Sequence, residues 1–136
     1  MLKNCIIIPA RYNSKRLFGK PLYKLKNGQS LIKMTLDKIK KKVKLEDIYV
    51  CTDNVLVKQE IESYLINKPI VVKKKCLNGT ERASYALSKI KRKYDYATIV
   101  SCDMPFMDPN VLLFIEKKSK LKNNKYADGY TIHCNV

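Results

Sequence analysis

Four consecutive residues near the start, Cys5-Ile6-Ile7-Ile8, are apolar and mostly β-branched, and they constrain the chain more than any other stretch. Without polar alternation, such a run reads as a strand covered on both faces, as in parallel sheets flanked by helices. Pro9 has no N–H to give a ladder and is expected to stop that strand. A loop follows in which Arg11, Ser14, Lys15, Arg16 and Lys20 fall within ten positions, with Gly19 as its one flexible joint. Four cations on so short a segment repel one another unless they converge on an anion. Open α/β sheets bind ligands at the carboxyl ends of their strands, and a polyanion such as a nucleoside triphosphate suits this place.

The choice of cation sharpens the expectation. The chain has 28 Lys and Arg residues, yet arginine stands only at 11, 16, 82 and 92. Against a lysine background, an arginine suggests a position where a planar, bidentate donor matters. Two of the four lie in the opening loop and a third in the motif Asn78-Gly79-Thr80-Glu81-Arg82. A solvated basic loop is the competing interpretation.

Along the rest of the chain, Asn27-Gly28 marks a turn, and apolar residues recur at helical spacing over residues 30–44. Residues 47–51 read as a second strand, 55–66 as a helix with Glu60 and Glu62 on its wet side, and 69–72 as a third strand. A helix is expected over 83–93 and a fourth strand over 97–102. Asp108 and Pro109 then open a helix as cap and first-turn proline. Residues 128–136 read as a fifth strand. Strands alternating with helices predict an α/β domain with a mostly parallel sheet and helices on both faces.

At 136 residues with 46% hydrophobic content, the chain is one globular domain, 1–136. No apolar run approaches a membrane span and no signal-peptide core precedes the first strand, so a cytoplasmic protein is expected. The cysteines at 5, 51, 76, 102 and 134 form no Cys-x-x-Cys pair and read as small hydrophobes in a reducing compartment. A net charge of +16 makes a nucleic-acid partner a serious rival. The lysines, however, are spread over helix faces and linkers with few aromatics among them, so no specific nucleic-acid partner is expected.

Two further groups carry chemistry. In Asn78-Gly79-Thr80-Glu81-Arg82, Thr80 reads as a helix cap and Glu81 as a first-turn acid favoured by the helix dipole. Asp103 follows the fourth strand, on the sheet edge that carries the basic loop. A Mg²⁺ ion bound to phosphates commonly takes only one or two protein carboxylates, and Asp103 stands where one would be needed. Asp53, after the second strand, reads as a helix cap, and His133 has no neighbour in sequence that makes it a base or ligand.

The segment Pro9-Ala-Arg-Tyr-Asn-Ser-Lys-Arg-Leu-Phe-Gly-Lys-Pro-Leu22 resembles the nucleotide-binding signature of the cytidylyltransferases that activate 3-deoxy-manno-octulosonate (Kdo), relatives of the CMP-acylneuraminate synthetases. That family usually has proline where this chain has Phe18. It has Ser-Gly-Thr-Glu-Arg where this chain begins with Asn78. Its Gln-Gly-Asp-Glu-Pro is matched here only at Asp103 and Pro105, since Ser101, Cys102 and Met104 replace the other residues. Thr52-Asp53 also matches the family.

The resemblance implies a Rossmann-like nucleotide-diphospho-sugar transferase fold. It further implies CTP contacts from Ala10, Arg11, Ser14, Arg16, Lys20, Gly79, Thr80 and Arg82, with Arg11, Arg16 and Lys20 acting on the phosphates. Asp103 would be a Mg²⁺ ligand. The implied reaction transfers CMP from CTP to a sugar acid, Kdo or related, with release of pyrophosphate. The likeness stops where the family continues, at a part that carries a second metal-binding Asp, much of the sugar-acid pocket and dimer contacts. The chain therefore reads as the N-terminal part of such an enzyme, with an uncovered sheet edge or face and little transfer unless a complementing C-terminal chain supplies the rest; a homodimer is the other partner expected. A degenerate nucleotide-binding module and a basic nucleic-acid-binding protein are the alternatives.

If guanidinium geometry matters more than total charge, Arg16→Lys should weaken triphosphate binding by about 1–2 kcal/mol. Lys15→Ala should cost much less, and equal losses in calorimetric titration would refute the assignment.

Overall fold

The computed structural model describes residues 3–13 and 15–122, the last five as backbone. Four strands, β1 (Asn4–Ala10), β2 (Ile48–Thr52), β3 (Ile70–Val71) and β4 (Tyr96–Ile99), form one sheet in the order β3-β2-β1-β4. Every neighbouring pair is parallel: Ile8 lies opposite Val50, Cys51 opposite Ile70, and Ile6 opposite Thr98. The helices are α1 (Leu31–Ile39), α2 (Val55–Ile61), α3 (Gly79–Leu87) and α4 (Asn110–Lys122).

Alternate residues of β1 enter two separate cores, as the period of two requires. Ile6, Ile8 and Ala10 pack with Ile32, Leu36 and Ile39 of α1, Val57 and Ile61 of α2, and Leu112 of α4. On the opposite face, Cys5 and Ile7 pack with Tyr49, Cys51, Val72, and Ala83 and Ala86 of α3. The helices therefore cover both faces, as the uninterrupted apolar run predicts. The four described cysteines are free and buried; burial pushes the thiols of Cys5 up to about 11 and of Cys51 up to about 12.

Pro9 does not stop the first strand. The strand runs on to Ala10, with Pro9 opposite Cys51 and Ala10 opposite Thr52. The Ile7 carbonyl accepts from the Val100 N–H at 3.0 Å, so the backbone groups of Ile7 face β4. Two residues on, Pro9 faces the same way, where β4 has already ended at Ile99. No ladder donor is lost.

Other boundaries shift for local reasons. α1 begins where expected, with the Ser30 hydroxyl accepting from the Lys33 N–H, but it ends at Ile39. Turns with the Lys41 N–H on the Lys38 carbonyl and the Lys42 N–H on Ile39 then bring Val43 and Leu45 back onto the core. The helix read over 55–66 is α2 followed by a 3₁₀ turn, Glu62–Tyr64. Glu60 is half-buried rather than on a wet face, because Lys33 of α1 pairs with it at 3.2 Å. The expected cap of α4 is present: the Asp108 carboxylate accepts from the Asn110 N–H at 2.9 Å. The fifth strand read over 128–136, with Cys134 and His133, lies outside the described residues.

Because Ile8 is fully buried and Ile99 is 43% exposed on a terminal strand of the described sheet, truncating each tests the layout. Ile8→Ala should cost roughly 2–5 kcal/mol and Ile99→Ala less than about 1 kcal/mol in urea denaturation.

Candidate functional site

The connections fix where a ligand can bind. From β1 the chain steps outward to β2 and then β3, after which α3 carries it back to β4 on the other side of β1. The strand order thus reverses between β1 and β4, and crevices at the carboxyl ends of such strands are the ligand sites of open α/β sheets. The basic loop leaves β1 at that point, and Asp103 follows β4 there.

The loop is held by its backbone. The Tyr12 N–H donates to the Asp53 carboxylate at 2.7 Å, and the Tyr12 carbonyl accepts from the Gly19 N–H at 2.8 Å, closing the loop on itself. Gly19 has φ +72°, a left-handed conformation, and an added Cβ would lie 3.3 Å from the Tyr12 ring. Tyr12 and Phe18 meet edge to face with centroids 4.8 Å apart. Beyond Gly19, a 3₁₀ turn over Lys20–Leu22 buries Pro21 and sets Lys20 at the loop's end. Asp53 is therefore not the cap of α2. Asn54 takes that place, accepting from the Leu56 N–H, which leaves Asp53 to anchor the loop.

Lys20 and Asp103 come together. The Lys20 ammonium pairs with one carboxylate oxygen of Asp103, and the Ser101 hydroxyl donates to the other. Partial burial would raise the Asp103 pKa, but hydrogen bonds from Lys20 and Ser101, with the Lys20 charge, outweigh it and hold the carboxyl below the usual carboxylate value. Both flanking peptides of Asp103 are fastened to α1. The fully buried Thr35 hydroxyl lies 2.9 Å from the Cys102 carbonyl and accepts the Met104 N–H at 3.1 Å. Arg11 and Arg16 are exposed and form no ion pair among the described residues. Ser14 lies outside the described residues, and Ala10 is wholly buried at the end of β1.

The second motif reaches the same edge from α3. This helix starts at Gly79, four residues before the expected 83, and its cap is Asn78 rather than Thr80: the Asn78 side chain accepts from the Glu81 N–H at 2.8 Å. Glu81 reaches back to the Leu77 N–H at 2.7 Å, a variant of the capping box. A Cβ at Gly79 would stand 3.2 Å from Pro9, so the start of α3 lies against the end of β1. Gly79 and Thr80 are exposed there. Arg82 points elsewhere: it is 4% exposed and donates to the Val72 carbonyl at 3.1 Å.

Asp53, Ser101 and Thr35 were not singled out as site residues by sequence. A signal existed for two of them. Asp53 directly follows β2 at the carboxyl edge of the sheet, and Thr35 is a hydroxyl on the otherwise apolar inward face of α1. Among the described residues no three His, Cys, Asp or Glu side chains gather as a metal cage. The lone, ionised Asp103 suits a hard cation that brings phosphate and water oxygens with it.

A parallel sheet with a cationic loop and a carboxylate at its switch point places the chain among the open α/β proteins. Within that class the chain belongs to the cytidylyltransferase family, whose model matches residues 5–136. It is 35% identical over 106 residues to the mitochondrial 3-deoxy-manno-octulosonate cytidylyltransferase of Arabidopsis thaliana, covering 78% of this chain and 36% of that one. It is also 35% identical over 108 residues to an 8-amino-3,8-dideoxy-manno-octulosonate cytidylyltransferase of Shewanella pealeana, covering 79% of this chain and 43% of the relative. The solved structure of a CMP:2-keto-3-deoxy-manno-octonic acid synthetase complexed with CTP superposes with a TM-score of 0.76 at 26% identity, over 87% of this chain and 47% of that one. The fold is thus the Rossmann-like nucleotidyltransferase fold, and the chain spans less than half the length of these relatives.

The lowered Asp103 pKa makes the contribution of the ion pair depend on pH. A carboxyl whose folded pKa is depressed stabilises the fold above its unfolded pKa, about 3.9, and the contribution disappears as pH falls through the lower folded value. Asp103→Asn should therefore melt slightly below the unsubstituted chain at pH 7, and the gap should close below about pH 3.9. A gap that persists in thermal melts at lower pH would show that the charge is not what holds this contact.

Proposed function

We propose that the chain is the nucleotide-binding part of a CTP-dependent cytidylyltransferase that transfers CMP to a sugar acid, Kdo or related, with release of pyrophosphate. The observation that carries this reading is the meeting of Lys20 and Asp103 at the switch point of the sheet, with the exposed Arg11 and Arg16 on the same loop as Lys20. An ammonium and a carboxylate side by side suit a metal–triphosphate, whose two partners need opposite charges. Family membership and the relatives' names support the nucleotide and the sugar acid.

In this reading Arg11, Ser14, Arg16 and Lys20 bind the phosphates of CTP. Ala10 and the start of α3, with Gly79 and Thr80, form the base-side wall, and Arg82 braces that wall through Val72. Asp103 would hold Mg²⁺, which would neutralise phosphate charge and polarise the α-phosphate. These residues orient the triphosphate and offset its charge, the main requirements of phosphoryl-group chemistry. No described side chain is an evident general base. Among the described residues no helix is long and apolar enough to cross a membrane; a cytoplasmic location is part of the same proposal. Dimer formation, which the resemblance implies, belongs to the same proposal.

The test is calorimetric titration with CTP, UTP, ATP and GTP in the presence and absence of Mg²⁺, followed by pyrophosphate release with a panel of sugar acids. CTP should bind at least about 10-fold more tightly with Mg²⁺ than without it, and Asp103→Asn should abolish that difference. Equal binding of the four nucleotides with no metal effect would defeat the reading. Preference for long polyanions with a steep salt dependence would favour a nucleic-acid partner instead.

A further inference from the structure

Asp103 sits in the turn after β4 and has no strand partner of its own, yet both of its neighbouring peptides are bonded to one atom. The Thr35 hydroxyl is within 2.9 Å of the Cys102 carbonyl and also of the Leu31 carbonyl, and it accepts the Met104 N–H at 3.1 Å. Its single proton serves one carbonyl at a time, while its lone pair always serves Met104. A threonine present only for helix chemistry would need no more than the Leu31 carbonyl, four residues back. The rest of the inward face of α1 is Ile32, Leu36 and Ile39, so a valine would fill the same space. What the hydroxyl adds is a partner for an N–H that an apolar core would leave unpaired.

We propose that Thr35 is a positioning residue for the Asp103 carboxylate, fixing it through the two peptides on either side. The inference rests on the reading of Asp103 as the ligand of a nucleotide-bound metal. Lys20 and Ser101 hold the carboxylate oxygens from the solvent side, and Thr35 holds the backbone from the core side. Displacement of the carboxylate together with its backbone from the switch point then needs contacts broken on both sides. A site whose supporting bonds are removed becomes loose by a fraction of an ångström, which is enough to weaken metal-assisted binding without unfolding the chain.

The experiment compares Thr35→Val, Thr35→Ser and Ile39→Val in the full chain, with Thr35→Ala taking the place of the valine variant should it fail to fold. Ile39 is fully buried one turn further along α1 and controls for general loosening of the core. CTP affinity is measured with and without Mg²⁺, and amide hydrogen exchange is followed at Met104. Thr35→Val should lower the affinity for CTP with Mg²⁺ by about 10-fold and the metal-free affinity by less than about 2-fold, with faster exchange at Met104. Thr35→Ser should restore both, and Ile39→Val should change neither. Retained affinity in Thr35→Val, an equal loss in Ile39→Val, or a Met104 amide that exchanges alike in the wild type and the variant would overturn the proposal. Failure of the wild-type chain to bind CTP defeats the functional reading and is seen in the wild type alone; the clasp then stands or falls on the exchange data.

Discussion

Burial of β1 on both faces is the constraint from which the rest of the architecture follows. A strand whose alternate residues enter two cores must have helices above and below it, which right-handed crossovers to parallel neighbours supply. It must also be flanked on both edges, since a doubly buried strand with a free edge would leave backbone groups unpaired. β2 fills one edge directly, and β4 fills the other only after the chain has turned back through α3. The reversal that completes the sheet is the same reversal that opens a crevice at its carboxyl edge. Fold and site location are thus two consequences of Ile6, Ile7 and Ile8 being buried together.

At this edge, the residues that carry charge are not those that hold the structure. The opening loop is fixed by the Tyr12–Asp53 and Tyr12–Gly19 backbone bonds and by the buried Pro21. The Asp103 turn is fixed by Thr35. Arg11 and Arg16 remain exposed, and the Lys20–Asp103 pair keeps side-chain exposures of 40% and 28%. Such a half-exposed pair contributes at most about 1 kcal/mol to folding, because water competes for both partners. Its significance lies in what it can exchange for. Under the proposed function each partner would find a stronger counter-charge in a metal–triphosphate, and the pair could part without endangering the fold.

How much of this was legible in the sequence depended on the range of the interaction. The apolar run of β1, the turn at Asn27-Gly28 and the Asp108-Pro109 cap are local patterns and read correctly, as does the convergence of Lys20 with Asp103 on one sheet edge. Pro9 misled, because whether a strand tolerates proline depends on which neighbour its N–H would have faced, and β4 lies almost ninety residues away. Asp53 and Thr80 were both given the nearest helix start, a sound local prior that Asn54 and Asn78 displaced, each bonding the next turn more directly. Arg82 carried the same arginine signal as Arg11 and Arg16, yet its guanidinium turns inward to Val72. Composition marks where a bidentate donor is used; it does not say whether the acceptor is a ligand or the protein.

The charge of +16 bears on the ligand in the same way, through where the cations lie. Lys33 pairs with Glu60, and it lies with Lys40 over the Tyr64 ring at 4.8 and 5.6 Å. Lys74 and Lys89 lie over Tyr85 at 5.5 and 5.2 Å, and Arg92 pairs with Glu46 and Asp47. A lysine over a tyrosine ring occupies a face on which a nucleic-acid base would stack, so Tyr64 and Tyr85 are poor platforms for single-stranded binding. Lys20 differs from these cations in pairing at the carboxyl edge of the sheet, on the loop that also carries the exposed Arg11 and Arg16. The remaining charge acts at long range: a strongly positive surface raises the encounter rate of any polyanion and loses that effect as salt screens it. If the ligand is the proposed nucleotide, diffuse charge favours its approach, while selection would rest with the few groups fixed at the end of β1.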